Sequence, residues 1–434
     1  MTSDTHKAEP GSILSDLAAR IPLEAVDHFV FALALFMIVL FPTQLAAVKI
    51  MILAIYAPLR ILSLQGAGRL VFDRYNTLIP LFYASVGAVY CYYGLLAGTP
   101  GAVAVSTVHV AYPLLLGFLA GTCSLDESKK IVRLLQLLLG LASLLIVAVF
   151  ALKLTGHKNI PLFDDSNASF GGGYTKLSFP LLSVLNFSVP FMLFSFLFRA
   201  GMKFGPLFYL VLIVTILDSI VTGRRGTWVV LLLSLFSLTF FARFRFSNLL
   251  ILLLLIGAGV SLAFYFGGLR LDILADRMQA GFQFTTLADQ GSAFARGAQF
   301  KSLMAGFADS PIFGHGLGST AVKYGSLRSH DLPWAYELSY VYGLYSMGAL
   351  GVMLYGAGIA WIGLQLFRLS RIAQTARYST PVLAGFAGFL IANATNPYLE
   401  KFDYMFVIFI PYALACTGVR AFGRHGPADS PAAA

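Results

Sequence analysis

Two adjacent arginines stand in a Gly-Arg-Arg-Gly turn, Gly223 to Gly226, between two apolar segments of this 434-residue chain. A planar guanidinium group can bind two phosphate oxygens at once, which the point charge of lysine cannot do. Because the turn is too short to reach far into water, Arg224 and Arg225 are predicted at a membrane interface. They could bind a phosphate group there, or their heads could snorkel and only mark the membrane boundary.

A third arginine, Arg296, belongs to the segment from Ser292 to Asp309, whose pattern predicts a helix. Helical spacing puts four residues on one face: Arg296, Phe300, Leu303 and Phe307. The arginine is therefore expected on an apolar stripe, where a charge needs a partner. That partner could be an anionic ligand or a carboxylate such as Asp218.

Histidine is the side chain best suited to accept a proton near neutral pH. His330 ends a long polar stretch just before the next apolar segment, which makes it the candidate general base. His315 lies within Ser310–Ser319, which reads Ser-Pro-Ile-Phe-Gly-His-Gly-Leu-Gly-Ser, and its glycines permit tight turns. His315 and Arg328 are additional candidates, although a lone histidine is more often a surface or capping residue.

No metal site is predicted from the spacing of histidines, cysteines and carboxylates. Asp164 and Asp165 form an adjacent carboxylate pair, and a divalent ion bridging them to a diphosphate is a minor alternative. The sequence contains no P-loop, no dinucleotide-binding glycine motif and no basic–aromatic face typical of nucleic-acid binding.

The elements that must position these residues are transmembrane helices. The chain is 58% hydrophobic and only 12% charged, which excludes an ordinary soluble domain. We predict an all-α polytopic membrane protein with about twelve spans: 26–42, 43–62, 78–97, 102–121, 132–154, 179–199, 204–222, 226–243, 248–268, 345–367, 379–397 and 402–420. If the first two segments, separated by Pro42, form one broken helix, the count is eleven.

Lysines and arginines favour cytoplasmic loops, and their distribution places both termini in the cytoplasm. We therefore divide the chain into transmembrane helices 1–9 (1–268), a periplasmic catalytic loop with short helices (269–333), and helices 10–12 with a cytoplasmic tail (334–434). The basic residues left on the outer side suggest an anionic ligand there: Lys49, Lys153, Lys158, Lys176, Arg224, Arg225, Arg270, Arg277, Arg296, Lys301, Lys323, Arg328 and Lys401.

Taken together, the Gly-Arg-Arg-Gly turn, the arginine on a loop helix, the Ser310–Ser319 element and the histidine before re-entry resemble the O-antigen ligase and polymerase superfamily. The likeness covers about 223–227 and 292–351 and is nearest to the ligases that complete bacterial lipopolysaccharide. Two features depart from the family pattern. His330 is followed by Asp331-Leu332-Pro333-Trp334 where the family often has Asn-x-Tyr-Leu, and Gly343, Gly348 and Gly351 fall a few residues late.

The resemblance implies a multi-pass glycosyltransferase of the bacterial inner membrane with its site on the periplasmic side. It would transfer O-antigen glycan from undecaprenyl diphosphate to a sugar hydroxyl of the lipid A-core oligosaccharide, among membrane lipids, with no cofactor and no metal. His330 would be the catalytic histidine, and Arg224, Arg225 and Arg296 would bind the diphosphate.

Two other functions stay open from the sequence. An O-antigen polymerase of the same superfamily would use the same donor with a second lipid-linked glycan as acceptor. A membrane transporter or flippase also fits twelve spans, but transporters carry ionisable residues near the bilayer midplane. Here the interior candidates are only Asp218, His109 and Lys49, all towards the outer side.

Overall fold

The structure is a computed structural model that describes residues 23–157, 160–163, 166–171, 174–198, 205–222, 224–237, 250, 254, 257, 261, 292–325 and 332–422. These residues form a helical bundle, as the composition predicts. Eight of the described helices are long and apolar enough to cross a membrane, which supports the membrane class.

The described helices have the following bounds: α1 Leu23–Leu40, α2 Ala46–Gly66, α3 Arg74–Leu96, α4 Ala102–Gly121, α5 Leu125–Leu154, α6 Leu185–Leu197, α7 Pro206–Val221, α8 Arg225–Ser237, α9 Ser292–Asp309, α10 Ser339–Ser370, α11 Ala373–Asn393 and α12 Phe406–Phe422. A 3₁₀ turn, Pro180–Val184, leads into α6. Helix α10 is kinked at Gly348, whose φ is 62°. The predicted span 248–268 lies largely outside the described residues.

The first two predicted segments are separate helices, so the broken-helix alternative is wrong for them. The chain reverses between Leu40 and Ala46 through positive φ values at Thr43 (71°) and Leu45 (54°), and α1 packs against α2. Two such left-handed residues end one helix and turn the chain into the next.

A two-stranded antiparallel hairpin, β1 Asn167–Gly171 and β2 Tyr174–Ser178, adds to the predicted all-helical class. The strands are separated in sequence by Gly172 and Gly173, a residue pair typical of two-residue hairpin turns. The sequence therefore contained a signal for this hairpin that a search for helices does not use.

Helix α6 forms the centre of the described bundle, because every residue from Leu185 to Leu197 is buried. Two glycines of α11 allow its close approach. A Cβ at Gly385 would lie 2.8 Å from Phe187, and one at Gly388 would lie 2.7 Å from Pro190. Small residues at such contacts are the usual means of tight helix packing in membranes.

One end of the bundle, called the loop end below, collects the segments 41–45, 97–101, 177–184, 310–325, 332–338 and 393–405. The backbone N–H of Thr43 donates to Asp403 at 2.9 Å, and that of Gly101 donates to Gly318 at 3.2 Å. The charge pattern had predicted the same side of the membrane for all of these segments. They include His315, and they contact two further candidate site residues, Arg224 through Ser183 and Arg296 through Glu337.

The other end, called the opposite end, is held by ion pairs, of which those of Arg60 are buried and that of Arg420 is partly exposed. Arg60 donates to Asp27 at 2.7 Å and to Glu127 at 3.1 Å, while Arg420 donates to Asp73 at 2.8 Å. Each of these residues is predicted on the cytoplasmic side. These ion pairs therefore connect helices at the opposite end only, and none of the three reaches the loop end.

Candidate functional site

Arg224 lies at the loop end and binds only neutral acceptors. Its Nη1 donates to the Ser183 hydroxyl at 3.1 Å, and its Nη2 donates to the Phe179 carbonyl at 3.3 Å. Beside it, the Tyr404 hydroxyl donates to the Pro180 carbonyl at 2.9 Å. Since none of these partners is charged, the positive charge of Arg224 has no carboxylate counterion among the described residues.

Arg225 is the first residue of α8, and its side chain lies outside what the structure describes. The position still matters, because the first turn of a helix has free backbone N–H groups and the positive end of the helix dipole. Gly226 follows with open space beside its Cα. The Gly-Arg-Arg-Gly turn thus joins a partly buried arginine to a helix N-terminus, an arrangement that favours anions.

Arg296 is paired with a carboxylate, the second of the two alternatives left open by the sequence, and that carboxylate is Glu337 instead of Asp218. Its Nε donates to Glu337 Oε2 at 2.7 Å, and both side chains are about one-quarter exposed. The backbone N–H of Glu337 in turn donates to Gln299 at 3.1 Å, one turn further along α9. Asp218 is instead buried on α7.

The Arg296–Glu337 pair does not saturate the guanidinium group. Glu337 takes the Nε edge, and no described residue hydrogen-bonds Nη1 or Nη2. Those two nitrogens form the fork that binds phosphate or carboxylate in a bidentate way. Glu337 therefore orients Arg296 and leaves its terminal fork for another anion.

The helix predicted over Ser292–Asp309 is confirmed with the same bounds, while its packed face differs. The residues of α9 that are buried are Gln299, Ser302, Leu303 and Gly306. Phe300 is half exposed instead of packed. The shift follows from Gly306, where a Cβ would overlap Tyr345 of α10, so this glycine face is the one that α10 covers.

The Ser310–Ser319 element packs closely against the helical bundle through three of its glycines. Gly314, with φ of 69°, contacts the α10 kink at Gly348, and a Cβ there would lie 2.5 Å from the Gly348 nitrogen. Gly316 and Gly318 pack likewise against the end of α3 and the start of α4. The predicted tight turns are confirmed, and the element fixes the loop to the bundle.

His315 is held within this element. Its Nε2 lies 2.8 Å from the Gly306 carbonyl, and its ring stacks on Tyr345 with centroids 4.7 Å apart. A carbonyl can only accept, so Nε2 carries the proton and donates. These contacts give His315 a packing role between α9 and α10.

The candidate base His330 and the neighbouring Arg328 lie outside the described residues, as do Asp164 and Asp165. Their predicted roles stay predictions. Of the named site residues that are described, Arg224, Arg296 and His315 all lie at the loop end. The described partners of the two arginines differ, since Arg224 donates to Ser183 and Phe179 whereas Arg296 donates to Glu337.

Lys49, one of the outer-side basic residues, has a structural explanation instead of a ligand. It is 1% exposed, forms a buried ion pair with Asp403 and donates to the Phe41 carbonyl at 2.7 Å. The pair ties the start of α2 to the segment before α12. The expectation that outer-side cations attract an anionic ligand is therefore wrong for this residue.

An apolar groove of about 590 Å³ runs between α3 and α10 and reaches the loop end at Phe313. A second groove of about 530 Å³ continues along the same two helices and shares Phe82 with the first. Together they form a path lined by apolar and aromatic side chains that starts beside the glycine-rich element.

Three site residues were missed by the sequence analysis: Ser183, Glu337 and Gln299. Glu337 offered a signal, because it is a carboxylate that closes the polar stretch directly before α10. Ser183 and Gln299 offered no such signal in the sequence.

Compared with known proteins, the chain matches no family model and no curated protein.

Proposed function

We propose that this protein is an O-antigen ligase, which transfers a glycan from undecaprenyl diphosphate to a sugar hydroxyl of lipid A-core. The observation that carries the proposal is Arg224, a partly buried arginine at a helix junction whose partners in the described part of the chain are all neutral. An arginine so placed is poised to bind an anion that arrives with the substrate. Phosphate is the anion that its planar fork fits best.

Arg296 supports the same ligand class. Its Nη1 and Nη2 atoms have no described partner, and Glu337 fixes the plane in which they point. A prealigned guanidinium group stabilises negative charge without reorganising during the reaction. Arg224, Arg225 and Arg296 would bind the diphosphate and stabilise the charge that develops as it leaves.

The apolar path along α3 and α10 supports a substrate that is a lipid. A polyprenyl chain would lie in this path while the charged diphosphate stays at the loop end. The substrate is amphiphilic, and the described surface offers an apolar path that reaches the same end of the bundle as the arginines.

In the proposed reaction, the acceptor hydroxyl oxygen attacks the anomeric carbon of the donor glycan. The bond between that carbon and the diphosphate oxygen breaks, and undecaprenyl diphosphate leaves with the bonding electrons. His330 takes the hydroxyl proton, a role worth about 10²–10⁴-fold for a positioned base. No nucleotide and no metal is required in this scheme.

The proposal includes a finer topology. The chain would cross the bacterial inner membrane about twelve times, with both termini in the cytoplasm and the loop end in the periplasm. The lysine and arginine distribution supports this orientation. The polar stretch 269–333 would then cover the donor sugar at the outer leaflet.

A polymerase of the same superfamily is the second candidate, because the donor-binding groups would be identical. The test is to incubate purified protein with undecaprenyl-diphosphate-linked O-antigen and lipid A-core, without nucleotide or metal, and to separate the products on a gel. A glycan ladder on lipid A-core that is lost in His330→Ala supports the ligase. Longer lipid-linked glycan with unmodified core would indicate the polymerase, and absence of both products would favour a transporter.

A further inference from the structure

A polar pocket lies at the opposite end of the bundle, away from the arginines of the proposed active site. It has a volume of about 210 Å³ and is lined by side chains of α1, α2 and α5. Its charged and polar residues are Asp27, His28, Arg60, Glu127 and Lys130. Glycan transfer at the loop end gives this pocket no role.

Ion pairs surround this pocket. Arg60 pairs with Asp27 at 2.7 Å and with Glu127 at 3.1 Å. Arg69 pairs with Glu127 at 3.2 Å and with Glu24 at 2.8 Å. The three carboxylates are balanced by Arg60, Arg69 and the Lys130 that lines the pocket, so a zwitterionic ligand would add no excess charge.

Two acceptor atoms in the pocket are buried without a partner among the described residues. Asp27 is 2% exposed, and its Oδ1 has no hydrogen bond within the described residues. His28 Nδ1 lies 2.5 Å from the Glu24 carbonyl, which can only accept, so Nδ1 donates. In the neutral ring Nε2 is then an acceptor, and it too is buried without a described partner. Buried polar atoms are normally hydrogen-bonded, so this pair calls for a donor.

The pocket continues into an apolar slot. Phe31, Tyr56, Cys123 and Ile131 line both the pocket and a narrow cleft that passes between α1 and α12 towards the loop end. Burial raises the pKa of the Cys123 thiol to about 11, so the thiol stays neutral and adds no charge. The site is therefore polar at the end of the bundle and apolar towards its interior.

We propose that this pocket binds the headgroup of an aminophospholipid. The primary ammonium donates to Asp27 Oδ1 and His28 Nε2, the phosphate meets the exposed Lys130, and the start of one acyl chain enters the apolar slot. The ammonium supplies three N–H donors for these two acceptors. A choline headgroup has the same charge but no N–H, so it leaves both acceptors unsatisfied.

The discriminating comparison is between phospholipids that differ only in methylation of the headgroup nitrogen. Purified protein is delipidated in detergent and incubated with phosphatidylethanolamine, its mono- and dimethyl derivatives, or phosphatidylcholine with identical acyl chains. Native mass spectrometry then counts bound lipid per chain. We expect one tightly retained phosphatidylethanolamine, with retention falling about tenfold or more across the series as charge-assisted hydrogen bonds are lost. Equal retention of all four lipids overturns the proposal.

Variants test the assignment of the atoms. Asp27→Asn removes the anionic acceptor and should abolish the preference for phosphatidylethanolamine. Asp126→Asn is the matched control, since this exposed carboxylate at the start of α5 pairs only with Lys129 in the described structure and should keep the preference. Ile131→Trp fills the pocket without touching an ion pair and should prevent retention. Unchanged preference in both Asp27→Asn and Ile131→Trp contradicts the site.

A final arm separates a lipid from a free headgroup. Soluble glycerophosphoethanolamine should neither compete with the bound lipid nor raise the melting temperature at millimolar concentration, because it lacks the acyl chain for the slot. Competition by this headgroup at the same concentration as the lipid would overturn the lipid assignment. None of these readouts depends on glycan transfer. Failure of the lipid site can therefore be distinguished from failure of the proposed glycosyltransferase function.

Discussion

Glu337 Oε2 accepts a 2.7 Å hydrogen bond from Nε of Arg296, across 41 residues of sequence. The contact fixes the guanidinium plane of an arginine on α9 from the segment that enters α10. It leaves the Nη1 and Nη2 atoms of Arg296 for another anion, so Glu337 acts as a positioning residue in the proposed diphosphate site.

Glu337→Ala should lower kcat/KM for glycan transfer by on the order of 100-fold, because a small misplacement of a catalytic group has effects of that size. Glu337→Gln keeps an acceptor for Nε and should recover part of the loss. Asp309→Ala is the matched control, since it removes a carboxylate from the end of α9 whose described partner is Tyr324. Initial rates at varied donor concentration measure all three. Equal losses in Glu337→Ala and Asp309→Ala would contradict the positioning role.

Arg224→Lys should raise the KM for the lipid-linked donor by roughly tenfold, because lysine keeps the charge and loses the bidentate fork. Arg371→Lys changes the same residue type at the opposite end, where the guanidinium lies over the Phe367 ring, and should leave the KM unchanged. Donor titrations of both variants provide the measurement. An unaltered KM in Arg224→Lys would argue against phosphate recognition by this arginine.

Much of the helical architecture could be predicted from hydrophobic segments, including the bounds of α9 and the tight turns of Ser310–Ser319. The partners of the charged residues could not. For Arg296 the sequence leaves open an anionic ligand or a carboxylate such as Asp218, and the described partner is Glu337. Lys49 pairs with Asp403 across 354 residues. Such pairings depend on how helices pack, and periodicity within one segment carries no information on that. The candidate roles of His330 and Arg328 rest on sequence alone, since both residues lie outside the described part of the chain.

Gly348→Ala should lower the melting temperature sharply, because its φ of 62° strains a side chain and the new Cβ would overlap the Ile312 carbonyl. Gly68→Ala is the control that measures backbone strain without steric overlap, since φ at Gly68 is 64° and the space around it is open. Left-handed backbone costs a non-glycine residue about 1–2 kcal/mol, so Gly68→Ala should show only a small decrease. Thermal unfolding in detergent compares the two variants. Equal decreases would mean that the contact between Gly348 and the glycine-rich element contributes nothing.

Lys49→Met should destabilise the fold by about 3–5 kcal/mol, because it leaves the Asp403 carboxylate buried without its cation. Adding Asp403→Asn removes the unpaired charge and keeps an acceptor for the Thr43 backbone N–H, so the double variant should recover most of the loss. Unfolding midpoints of both single variants and the double variant complete the cycle. If the double variant shows the sum of the single losses, the two residues are not coupled.

The most direct test of the central proposal is the stoichiometry of the transfer reaction. Purified protein is mixed with undecaprenyl-diphosphate-linked O-antigen and lipid A-core, and mass spectrometry quantifies every lipid product. We expect one free undecaprenyl diphosphate for each glycan joined to lipid A-core, with neither product formed by His330→Ala. Loss of donor without glycosylated lipid A-core, or undiminished transfer by His330→Ala, would contradict the account.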